Sequence, residues 1–185
     1  MLRKNIFCTL IIIFSLCSHV SAQTAKKAKV ARKIAHITDV PYIPELSGDS
    51  SYWNLVVQGK SIIPALISNL TNTTKTNISI PNWGGEYCFG DIAFSILEHI
   101  IYNIPVEDMI RENKRYPLSE DITYLSFVSF KKSNRRFLRK EMRKWYKENK
   151  DKLQWVPDTR HYGRASQDWF YPLDQNPAHG YYSIP

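Results

Sequence analysis

Gly90-Asp91-Ile92-Ala93-Phe94-Ser95-Ile96-Leu97-Glu98-His99-Ile100-Ile101-Tyr102-Asn103 is the stretch on which the fold turns. Ile92, Ala93, Ile96, Leu97, Ile100 and Ile101, followed by Ile104, recur with a 3.6-residue period, which predicts a helix over 90–103 with one apolar face. Glu98 and Tyr102 fall off that face. Upstream, Ile62, Ile63, Leu66, Ile67 and Leu70 make a second stripe, with Ser61 as a cap and Pro64 in the first turn, where a missing N–H costs little. Before it, Tyr52, Trp53, Val56 and Val57 define a short helix that stops at Gly59. Downstream, Pro105 opens a helix to about Glu112 with Met109 and Ile110 inward. A longer amphipathic helix spans 133–150, where Phe137, Leu138, Met142, Trp145 and Tyr146 are spaced among basic residues. The fold class is therefore mainly α. Its core is predicted to contain Ile62, Leu66, Ile67, Ile92, Ile96, Leu97, Ile100 and Leu138.

The segments between these helices are less periodic. Residues 71–82 are rich in Thr and Asn and read as an exposed loop, closed by a tight turn at Trp83-Gly84-Gly85. Residues 119–130 begin like a helix at Ser119-Glu120-Asp121 but carry Tyr124, Phe127, Val128 and Phe130, which favour strands, so both states stay open. After Trp155-Val156-Pro157 no period survives. Residues 156–185 are an irregular tail rich in aromatics, expected to pack back on the domain because exposed aromatic area is unfavourable.

The N-terminus reads as a targeting segment. Arg3 and Lys4 precede an apolar run from Ile6 to Leu16, and Val20-Ser21-Ala22 supplies small residues for cleavage. The run is too short to span a bilayer, which needs about 20 residues. Residues 1–22 are thus a signal peptide cut after Ala22, 23–41 a basic flexible leader, and 42–185 one helical domain; the product is secreted or periplasmic. The 185-residue chain has a net charge of +8, but that excess sits at one end. Arg3 and Lys4 supply two charges, and Lys26, Lys27, Lys29, Arg32 and Lys33 supply five, leaving one over residues 37–185. A nucleic-acid partner, which needs a basic patch on the folded module, is not expected. Membrane contact is expected only through the five cations of the leader, as a transient helix at most. With 43% hydrophobic and 13% aromatic residues, the chain has enough apolar surface for a core, and intrinsic disorder is excluded.

The run Gly59-Lys60-Ser61-Ile62-Ile63-Pro64-Ala65-Leu66-Ile67-Ser68-Asn69-Leu70, followed after a loop by Gly90 to Ile100, resembles the paired helices of HEAT-like (armadillo-type) repeats over about residues 52–104. The resemblance implies a small, irregular stack of helical hairpins used as a binding surface. The chain departs from that pattern in its long loop between the matched helices and in lacking periodic repeats after Asn103; stacking needs about three units. Trp145-Tyr146 with Lys150 to Trp155 is similar to helix ends in uncharacterised exported bacterial proteins, which implies no activity.

Chemistry-bearing patterns are few. Neither HExxH nor CxxC occurs, and His161 and His179 with Asp158, Asp168 and Asp174 share only a tail, so no metal and no cofactor are expected. Cys88 precedes the strongest helix, whose dipole would lower its pKa, and His179 could act as its base. That pair is the alternative reading, a secreted thiol hydrolase of the cell-wall amidase or peptidase kind. The plainer reading of Cys88, flanked by Tyr87 and Phe89, is a buried core residue. The favoured function is an exported, non-catalytic helical domain that binds a protein or envelope component. Its contact surface is expected at Trp83, Gly84 and Gly85, with the neighbouring Thr/Asn loop and aromatics of the tail, because loops held by a rigid scaffold carry binding residues.

Overall fold

The computed structural model describes residues 24–41, 48–113, 123–157 and 180–185. The expected signal peptide, residues 42–47, the expected helix start at Ser119 and most of the aromatic tail, including His161 and His179, lie outside the described residues. Within them the protein is mostly helical.

The first element corrects an expectation. Residues 24–34 form a helix, α1, rather than a flexible leader, and Val30, Ile34, Ile37 and Val40 are buried in the main core. The reason is spacing: residues 30, 34 and 37 stand at i, i+4 and i+7, a stripe wide enough to dock despite the five cations around it. Two hydrogen-bonded ties hold it there. Asn69 Nδ2 donates to the Lys27 carbonyl at 3.2 Å, and the Asp49 carboxylate accepts from the backbone N–H and hydroxyl of Thr38. Asp49 also caps α2 (Ser50–Val56), accepting from the Tyr52 N–H at 2.8 Å. Burial pushes its carboxyl up, but the N–H donors of Thr38 and Tyr52 outweigh it and hold the group below its ordinary value. Leu55 is buried in α2 where the sequence pointed to Val57, which is exposed.

A 3₁₀ turn at Gly59–Ile62 leads into α3 (Ile63–Asn69), with Pro64 in its first turn. The Thr/Asn segment then departs from expectation. Lys75–Ser79 is a strand, β1, pairing antiparallel with β2 (Glu86–Cys88) in a hairpin whose register shifts between Lys75 and Ser79. Thr76 and Ile78 turn partly inward while Lys75, Asn77 and Ser79 face water. β2 runs directly into α4 (Phe89–Ile100), which opens with a capping box: Asp91 Oδ2 accepts from the Cys88 N–H at 2.8 Å, and the Cys88 side chain caps the Asp91 N–H.

α4 is the central helix. It packs most extensively on α3 and also against α2 and β2. All eight core residues expected from the sequence are 5% exposed or less, and each such apolar side chain contributes about 1.5–3 kcal/mol through burial. α5 (Val106–Arg111) and α6 (Tyr124–Phe130) precede α7 (Lys132–Asn149), which lies across α3, α5 and α6. The strand alternative for 119–130 loses over its described part, because Thr123 caps α6 by accepting from the Ser126 N–H. The ends of the tail are also regular: β3 (Gln154–Pro157) pairs antiparallel with β4 (Gly180–Ser183). The Tyr102 N–H donates to the Tyr182 carbonyl at 2.8 Å, fixing β4 beside the end of α4. Among the described residues no helix is long and apolar enough to cross a membrane.

Candidate functional site

The hairpin tip, the outward face of α4 and the start of α6 enclose a pocket of about 340 Å³. The turn between β1 and β2 closes through Ile80 and Gly85, whose backbones bond at 3.0 Å. It needs a positive φ at Asn82, Gly84 and Gly85 (57°, 81° and 79°), a conformation that only glycine, and asparagine to a lesser degree, adopts at little cost. A side chain at Gly84 or Gly85 would meet nothing within 4 Å, so these glycines serve the backbone and leave open space beside Trp83. Trp83 is 49% exposed and lines the pocket with Tyr87, Phe94, Glu98 and Tyr124. The rings of Phe94 and Tyr124 stack at 3.8 Å with only 2° between their planes, so a parallel aromatic pair, its Phe94 ring buried, forms one wall.

Two carboxyls line the pocket, and they differ. Asp91 is spoken for: Arg135 Nη2 reaches its Oδ1 at 2.7 Å, and both side chains are nearly sealed from water. Tyr124 closes this cluster, its hydroxyl accepting from Arg135 Nη1 and donating to the Gly90 carbonyl, each at 3.2 Å. Glu98 has no hydrogen bond or ion pair among the described residues. Protein atoms crowd around it and burial pushes its carboxyl up to about 8, yet its side chain is reached by solvent.

Cys88 does not have the environment of a nucleophile. It is 2% exposed, and burial first, then the Asp91 charge, push its thiol up to about 11, reversing the effect expected from the helix dipole. His179 lies outside the described residues. A second histidine is embedded in the core. His99 is 4% exposed, its Nδ1 lies 2.8 Å from the Tyr52 hydroxyl, and it meets the rings of Tyr52 and Trp53 edge to face. Burial pulls its imidazole down to about 4, which keeps it neutral.

Of the residues singled out from the sequence, Trp83, Gly84 and Gly85 do form an exposed turn. The described tail aromatics do not join it: Tyr182 packs on Trp155 and under Lys60, and Tyr181 lies against Tyr102. What the sequence did not bring forward is the Phe94–Tyr124 wall and the place of Glu98 beside it. Glu98 left a signal, an acid set among the apolar residues of α4 but off their common face. Among the described residues no three His, Cys, Asp or Glu side chains group closely enough to hold a metal ion.

No family model matches this chain, and no curated protein or solved structure does so either.

Proposed function

We propose that this protein is a non-catalytic, exported binding module whose pocket takes a basic side chain from a protein partner. The observation that carries the reading is the exposed Trp83 on the same pocket as the stacked Phe94–Tyr124 wall and Glu98, which has no ion pair among the described residues. Aromatic faces attract a cation by about 0.5–2 kcal/mol, more as water is excluded, and a cation seated beside Glu98 would offset the rise that burial causes and draw its carboxyl into the charged form as the counter-charge. An exposed Trp beside a pocket also has the profile of an interface anchor. The scaffold reading that goes with this is one irregular HEAT-like unit in which α3 and α4 pair and the β1–β2 hairpin replaces their short connection. Secretion or periplasmic location follows from the Val20-Ser21-Ala22 site, and α1 supplies the expected membrane-facing cations.

Selection of displayed random peptides on the protein tests the pocket. Enriched peptides should contain Arg or Lys and should lose binding to Trp83→Ala and Glu98→Gln while both variants keep the wild-type melting temperature. Peptides without basic residues, or binding that ignores both substitutions, would overturn the reading.

A further inference from the structure

The exposed side of α3 is a strip of uncharged residues between two cationic helices. Ser61, in the turn that leads into α3, followed by Pro64, Ser68 and Thr71, stands at successive i, i+3, i+7 and i+10 positions, and all four are at least partly exposed. α1 flanks one side, tied down through the Lys27 carbonyl, with Lys26 Nζ 3.5 Å from the Ser61 carbonyl. Lys26, Lys29 and Lys33 share a face of α1, at i, i+3 and i+7. α7 flanks the other side: Arg143 Nη2 donates to Ser68 Oγ at 3.0 Å, and Arg139 Nη1 donates to Thr71 Oγ1 at 3.2 Å. Arg136 completes the row, close enough that its charge and that of Arg143 act on Arg139. Among the described residues none of these six cations makes an ion pair; the bridges present are Arg135–Asp91, Lys140–Glu141 and Lys150–Asp151.

We propose that this face, built from α1, α3 and α7, docks on an anionic lipid bilayer surface. Folding has collected like charges from residues more than a hundred positions apart along the two sides of α3, and none of the four strip residues between them is acidic. Self-repulsion makes such a face costly in isolation and favourable against a plane of negative headgroups. The strip between the cations carries only hydroxyls and a proline, so it has none of the exposed aromatics on which single-stranded nucleic acids stack. It is also uncharged, and its residues touch a cation from each row, Lys26 at Ser61 on one side and Arg139 and Arg143 at Thr71 and Ser68 on the other. The face includes the helix that follows the apolar run Ile6 to Leu16, the segment expected to serve as the export signal. The inference is independent of the pocket around Trp83, which is lined by other elements.

Sedimentation with vesicles tests it, using the chain as isolated from the cells that export it. Vesicles of phosphatidylcholine with about 30% phosphatidylglycerol should carry the protein down at low salt and release it as salt screens the charges; phosphatidylcholine alone should not. The combined variant Arg136→Gln, Arg139→Gln, Arg143→Gln should bind the anionic vesicles about a hundredfold more weakly, the scale expected for three surface cations. Lys26→Gln with Lys29→Gln and Lys33→Gln should have a comparable effect, whereas replacing the three arginines by lysine should retain binding. The second triple variant, remote from α7, decides the matter if the first one misfolds. Equal binding to both vesicle types would overturn the proposal, because a hydrophobic insertion would then be responsible. Binding to soluble polyphosphate or to single-stranded RNA without binding to anionic vesicles would overturn it too.

Discussion

At the scale of single residues, the start of α4 concentrates the tightest constraints. A Cβ built on Gly90 would lie 2.6 Å from the Leu70 carbonyl and 3.0 Å from Arg135 Nη1. The first of these is backbone and cannot swing away. Gly90→Ala should therefore destabilise the protein by about 1–3 kcal/mol, as overpacking does, measured by urea denaturation. Next to it, Arg135 is the counter-charge of the buried Asp91, and Arg135→Met should cost about 3–5 kcal/mol by leaving that carboxylate alone. His99 gives a pH dependence of known sign. Its folded value of about 4 lies below the ordinary 6.5, so between those values the unfolded chain takes up a proton that the folded protein refuses. Its contribution to stability is full above about pH 6.5 and is lost as the pH falls toward 4. The His99 imidazole should stay neutral at pH 5.5 by NMR, and a titration near 6.5 would contradict its burial. The free thiol of Cys88 should be slow toward alkylating reagents at neutral pH until the protein unfolds.

At the scale of elements, what was legible in the sequence depended on how strong a single period was. α4 and α7 each hold one face over three turns or more, and both were placed to within a few residues. α1 was present in the spacing of Val30, Ile34 and Ile37, but five cations and a position just after the expected cleavage site favoured a flexible segment. Three apolar residues on one face were enough once Asn69 and Asp49 gripped the chain. Ile34, fully buried, puts this to the test: Ile34→Ala should cost about 2–5 kcal/mol, whereas a free leader would give no change. β1 was hidden for the opposite reason. Its alternation of Thr76 and Ile78 against Lys75, Asn77 and Ser79 has a period of two, but four of those five residues are polar, so composition suggested a loop. The candidate site was half legible. The Trp83-Gly84-Gly85 turn announces itself by residue type, while the pocket depends on Phe94, Glu98 and Tyr124 coming from elements whose mutual placement no local pattern encodes.

At the scale of the whole molecule, one lysine ties the end of α7 and the β3–β4 pair to the turn before α3. Lys60 Nζ donates to the Leu153 carbonyl, lies 3.5 Å from the Lys150 carbonyl at the end of α7, and sits 4.9 Å from the centre of the Tyr182 ring. It thus satisfies carbonyls left over at a helix terminus and fastens β4 to the turn before α3. Gly59, with φ at +54° and its open side 3.2 Å from the Tyr182 ring, allows that close approach. Lys60→Met should lower stability by about 1.5–3 kcal/mol, the range for hydrogen bonds to a charged group, and should loosen the protection of β3 and β4 against hydrogen exchange before that of α4. The helical body positions the hairpin tip, and the tip with α4 and α6 forms the pocket on which the proposed function rests. The most direct test measures, on one preparation of Trp83→Ala, its melting temperature and its affinity for a basic peptide selected on the wild-type protein. An unchanged melting temperature with at least a tenfold loss of affinity is the predicted result. A large fall in melting temperature, or an undiminished affinity, would contradict the assignment of Trp83 as the anchor of a binding site.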